Sequence, residues 1–78
     1  MEQTVMEMIR DMLKVDAKDL ESRMDDEEIW DSLQWIETVF YLEEELKIKF
    51  EEDEFPEIKT PRRLCEAAIG KVKASEKS

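Results

Sequence analysis

Between Ser32 and Leu46 the chain reads SLQWIETVFYLEEEL. On a helical wheel Leu33, Trp35, Ile36, Val39, Phe40, Leu42 and Leu46 cover about half the circumference. An arc that wide predicts a central helix packed on two sides. Gln34, Glu37, Thr38, Tyr41, Glu44 and Glu45 fall on the opposite half, and Glu43 falls inside the apolar arc as a boundary residue or local misfit. Two further segments share the helical period. Val5, Met8, Ile9, Met12 and Leu13 form one stripe, with Thr4-x-x-Glu7 reading as a capping box at its start. Leu64, Cys65, Ala68, Ile69 and Val72 form another, begun by Thr60 as N-cap and Pro61 at the first helical position.

The segments between are of two kinds. Residues 16–31 read as a polar, acidic connection anchored by Leu20, Met24, Ile29 and Trp30, a length that is functional or pinned in a compact domain. Ile48, Phe50, Phe55 and Ile58 mark a loop with one short helical turn near residues 53–57, which Pro56 limits. With 78 residues, only about 60% of the unfolded surface can be buried. A three- or four-helix bundle is therefore near the ceiling, and a large preformed substrate cleft is not expected. Residues 1–78 read as one domain with a polar, frayed tail at 73–78.

Charge narrows the function. The chain carries 12 basic and 22 acidic residues, a net −10, and residues 16–57 hold 17 of the acids with only 4 bases. Such a field steers basic partners and repels nucleic acid and anionic membranes. No apolar run approaches ~18 residues, so no membrane span is expected, and no signal peptide is recognised. One cysteine, Cys65, allows no internal disulfide and fits a reducing compartment. The expectation is a soluble cytoplasmic protein, acting as a monomer.

Chemistry-bearing residues are few. Histidine is absent, which removes the commonest general base and metal ligand together. Ser32 has no base beside it and no G-x-S-x-G elbow around it, so a nucleophilic serine is disfavoured. It reads either as an N-cap or first-turn serine, or as a modification site at the positive end of a helix. Asp25-Asp26-Glu27-Glu28 lacks the alternation and glycine of an EF-hand loop and reads as a solvated acidic loop. Glu43-Glu44-Glu45 reads as a solvated helix face or a docking face for a basic partner, not as a glycosidase pair. The methionines read as core and boundary filler, and Cys65 as a core residue. No metal site is expected.

Trp30-Asp31-Ser32-Leu33, followed by Ile36, Glu37 and Val39 and then Leu42-Glu43-Glu44-Glu45-Leu46, resembles the acyl carrier proteins, the phosphopantetheine-binding carriers. The likeness continues through Phe50, Glu54, Ile58 and Thr60 to Leu64, Ala68 and Ile69, and covers about residues 4–72. It implies an all-α four-helix bundle of three main helices and one short one. It implies a carrier, not an enzyme. A phosphopantetheinyl transferase would attach 4′-phosphopantetheine from coenzyme A to Ser32, and the arm's thiol would hold acyl groups as thioesters. Carried over, Asp31, Glu37, Glu43 and Glu44 would dock basic patches on the transferase and on acyl-loading and acyl-transfer enzymes, with Leu33 and Phe40 as apolar contacts. Lipid, fatty-acid, polyketide and envelope-polysaccharide pathways all fit.

Departures from the family pattern carry their own expectations. Trp30 stands where a glycine is common, and the W-D-S-L form resembles stand-alone carriers of specialised pathways. Trp35 stands where a small residue is usual and points inward, with Phe40 and Phe55 adding bulk, so a pocket for cargo is crowded and suits short chains or none. Two alternatives stay open: a carrier of aminoacyl groups (peptidyl or D-alanyl), and an acidic helical adaptor or nucleic-acid mimic that bears no arm.

Overall fold

A computed structural model describes residues 2–76, with side chains over 3–74. Four α-helices follow one another: α1 (Glu2–Leu13), α2 (Ala17–Ser22), α3 (Ser32–Leu46) and α4 (Pro61–Glu76). Two 3-10 segments, Glu27–Ile29 and Glu52–Glu57, lie on either side of α3. The bundle is all-α, as the three helical periods predict. The second 3-10 segment is the short turn expected near Pro56. Among the described residues, no helix is long and apolar enough to cross a membrane.

α1 packs on both α3 and α4, α2 packs on α1, and α3 meets α4. Val5, Ile9 and Leu13 bring one face of α1 into the core, where they meet Leu20, Val39, Leu42, Phe50, Ile58, Leu64 and Ala68. Cys65 is buried within the same cluster, as its place on the α4 stripe requires. Met6, Met8 and Met24 pack around its margin, filling boundary positions.

Three sequence expectations change. The Thr4-x-x-Glu7 box does not start α1, because the helix already runs from Glu2 and Thr4 lies within it. The acidic connection is not featureless: Asp16 caps α2 through a 2.8 Å bond from the Asp19 N–H, and Asp26 caps the first 3-10 turn through a 2.9 Å bond from the Glu28 N–H. The apolar arc of α3 is also narrower than the wheel suggests. Leu33 and Phe40 are 66% and 55% exposed, whereas Thr38, assigned to the polar half, is fully buried. Its hydroxyl donates to the Gln34 carbonyl one turn back at 2.8 Å, which removes the cost of burying it.

Helix ends use side chains and two lysines where glycine would be ordinary. Lys14 and Lys47 both adopt left-handed backbone, with φ of 58° and 56°, at the ends of α1 and α3. Glu43 explains its own misfit on the apolar arc: its carboxylate accepts the Phe50 N–H at 2.8 Å and ties the loop after α3 back onto the helix. Thr60 accepts the Arg63 N–H at 3.2 Å and so caps α4 as its sequence predicts. α4 continues through residues 73–76, while residues 77 and 78 of the expected tail lie outside the described residues.

Candidate functional site

Two neighbours divide the work at the start of α3. Asp31 is the N-cap: its backbone is extended, and its Oδ1 accepts the Gln34 N–H at 2.7 Å. Its carbonyl accepts the Trp35 N–H at 2.9 Å, so the cap supplies two acceptors to the first turn. Ser32 is thereby the first helical residue and not the cap. Its side chain is exposed and makes no hydrogen bond to another described residue. The backbone N–H groups of Ser32 and Leu33 have no partner among the described residues either. A serine placed this way offers an unencumbered hydroxyl beside free N–H donors and the positive end of a fifteen-residue helix.

The turn before Ser32 is held from below. Trp30 is buried, and its indole N–H donates to the Lys59 carbonyl at 3.0 Å. Trp35, one turn into α3, donates its indole N–H to the preceding carbonyl, Ile58, at 2.9 Å. Two tryptophans on either side of Ser32 thus grip consecutive carbonyls of one strap. Trp35 also meets Phe55 edge-to-face, with ring centroids 5.8 Å apart and planes at 82°. The Lys59 ammonium lies 5.1 Å above its ring. Arg62 completes the clamp: its backbone N–H donates to the Met24 carbonyl at 2.9 Å, and its guanidinium pairs with Asp25 at 2.8 Å.

An open cleft of about 540 Å³ lies beside Ser32. Its walls are the acidic residues at 25–28, Asp31, the two tryptophans and Lys59. The four acids at 25–28 are not all loose in solvent. Asp26 caps a turn and pairs with Arg23 at 2.9 Å. The Glu28 N–H first, and the Arg23 guanidinium second, hold its carboxyl below the usual aspartate value. Among the described residues, no three acids or cysteines come together in a way that could hold a metal ion.

The residues expected at a docking face separate into two groups. Leu33, Glu37, Phe40 and Glu44 recur at helical spacing and form one exposed stripe leading away from Ser32. Glu43 sits off that stripe, half-buried and committed to Phe50. Asp31 lies at the helix end with its carboxylate engaged as the cap. Lys59 is the cleft residue that sequence reading missed. It reaches Ser32's neighbourhood through a contact across 24 positions of chain, and no local pattern encodes that.

The geometry accommodates a covalent phosphodiester arm: an exposed oxygen, free N–H donors, and a cleft open to solvent. Residues 3–68 match the family model described as a phosphopantetheine attachment site. No curated protein and no solved structure matches the chain.

Proposed function

We propose that this chain, which belongs to the family of phosphopantetheine-attachment domains, is an acyl carrier in which Ser32 bears the arm and α3 recognises the enzymes that use it. The domain is the site of covalent 4′-phosphopantetheine attachment, and the carrier architecture implies a phosphopantetheinyl transferase and acyl-handling enzymes as partners. The observation that carries the assignment to Ser32 is the division of labour at the helix start. Asp31 does the capping, so the serine oxygen is exposed and uncommitted.

The chain's own contribution is to present and position. With no histidine anywhere in the sequence to act as a base, the transferase supplies the catalysis, and the serine need only be accessible. The free N–H groups of Ser32 and Leu33 and the N-terminal end of α3 favour the negative phosphodiester once it is in place. When bound, the arm supplies a terminal thiol that holds cargo as a thioester, so Cys65 has no part in carrying. Leu33 and Phe40 offer apolar contact beside Ser32, and Glu37 and Glu44 alternate with them to meet basic patches. Asp31 and Glu43 add to the field from their structural positions. Docking of this kind is transient and salt-sensitive.

Charge reversal at Glu37 and Glu44 tests the docking face, because both side chains are exposed and neither holds the fold. Glu37→Lys with Glu44→Lys should slow transferase labelling of Ser32 with a fluorescent coenzyme A derivative by roughly tenfold at low salt. The melting temperature should fall by no more than about 2 °C from the parent. Unchanged labelling would remove α3 from the docking surface.

A further inference from the structure

We infer that the carrier, if its arm sits on Ser32 as proposed, holds a short polar acyl group outside the helix bundle, and that Trp35 is the residue that shuts longer chains out. A hydrocarbon cargo gains from every methylene it removes from water, so a long chain attached near Ser32 would seek apolar cover. Trp35 lines the cleft beside Ser32 and packs against the core cluster, so it stands between the two. Val39, Leu42, Phe50, Ile58 and Leu64 fill that interior, none more than 3% exposed.

Trp35 is held shut by three contacts of different kinds. Its N–H satisfies the Ile58 carbonyl at 2.9 Å, its edge-to-face contact is with Phe55, and the Lys59 ammonium covers its ring. Swinging the indole aside would break all three and leave a partly buried carbonyl without its donor. The strap cannot retreat easily either, because the next carbonyl is gripped by Trp30. The door is bolted on both sides.

What remains beside Ser32 is the outer cleft, and its chemistry is unsuited to an aliphatic chain. The cleft is lined by five acidic residues, those at 25–28 and Asp31, and one lysine, Lys59, with Asp25 and Asp26 paired to Arg62 and Arg23 at its edge. Laying methylenes over this wall would strip water from charged groups, and the exposed Glu27 and Glu28 carboxylates have no partner among the described residues to replace it. A small acyl group bearing hydroxyl or amino functions keeps that water or hydrogen-bonds in its place. The sign of the cleft favours a neutral or cationic group over an anionic one.

The test loads the parent and Trp35→Ala from acetyl-, β-alanyl- and octanoyl-coenzyme A with a permissive transferase. Intact mass first reports whether each arm is attached. Absence of any mass gain would remove the carrier reading itself, whereas the cargo inference is judged on melting temperatures and methyl resonances of the loaded forms. In the parent, the octanoyl form should melt within about 1 °C of the acetyl form. It should also leave the methyl resonances of Val39 and Leu64 in place. In Trp35→Ala, octanoylation should raise the melting temperature by about 5 °C or more and move those methyls. A rise in the parent, or no rise in the variant, would overturn the inference. Should Trp35→Ala fail to fold, Trp35→Leu supplies the same comparison, and the parent's methyl spectrum decides on its own.

Discussion

At the start of α3, two adjacent side chains that look alike as capping candidates have opposite fates: Asp31 accepts the Gln34 N–H, and Ser32 accepts from no described residue. The difference gives a stability test that needs no partner enzyme. Asp31→Ala should cost about 1 kcal/mol in urea unfolding, and Ser32→Ala should cost a few tenths at most. Equal losses would mean that the serine shares the cap and is not free. At this scale the sequence was legible where a residue's role is local. Ser32 at a helix start and the Thr60-Pro61 start of α4 are both local patterns. It was illegible where the partner is distant or the bond turns inward. Thr38 reads as polar until its hydroxyl is seen donating to Gln34, and Glu43 reads as a surface acid until Phe50 is seen donating to it. The aspartates at 16, 26 and 31 each precede a helical turn, a capping pattern that composition had blurred into one acidic stretch.

Among elements, the second 3-10 segment is tied to α4 by an ion pair. Glu54 accepts the Glu51 N–H at 2.6 Å and pairs with Lys71 of α4 at 2.8 Å, both side chains being partly buried. Lys71 in turn lies over the Phe50 ring. The Lys71 hydrogen bond first, and the Glu51 N–H second, hold the Glu54 carboxyl below its ordinary value of 4.5, against the opposing effect of burial. Its folded value is therefore lower than its unfolded one. The stability it contributes is full above about 4.5 and disappears as pH falls through the folded value. Lys71→Met should flatten the loss of stability below that point, measured by urea midpoints across pH; an unchanged acid limb would place the coupling elsewhere. The long helices were legible because their stripes run for three turns or more. α2 was not, since six residues carry one buried side chain, Leu20, and no period. The clamp on the 58–59 strap was not legible either, because each indole bond spans more than twenty positions.

For the molecule as a whole, charge is the dominant long-range term. The chain's net charge is −10, its 16–57 stretch alone carries 17 acids against 4 bases, and few of those acids have a cationic partner among the described residues. Screening should therefore help: the melting temperature should rise as sodium chloride goes from about 10 to 300 mM, where the Debye length falls from roughly 30 Å to below 10 Å. A flat response would mean that the caps and ion pairs already neutralise the field. The same field, with the exposed Leu33 and Phe40 inside it, is what a basic partner would read. The carrier reading presupposes an arm on Ser32. The deciding measurement is the mass of the protein and of its Ser32-containing peptide after incubation with coenzyme A, magnesium and an active phosphopantetheinyl transferase. One phosphopantetheine located on Ser32, and none on Ser32→Ala, is the expected outcome. A gain that survives Ser32→Ala, or no gain while a known carrier is modified alongside, would contradict it.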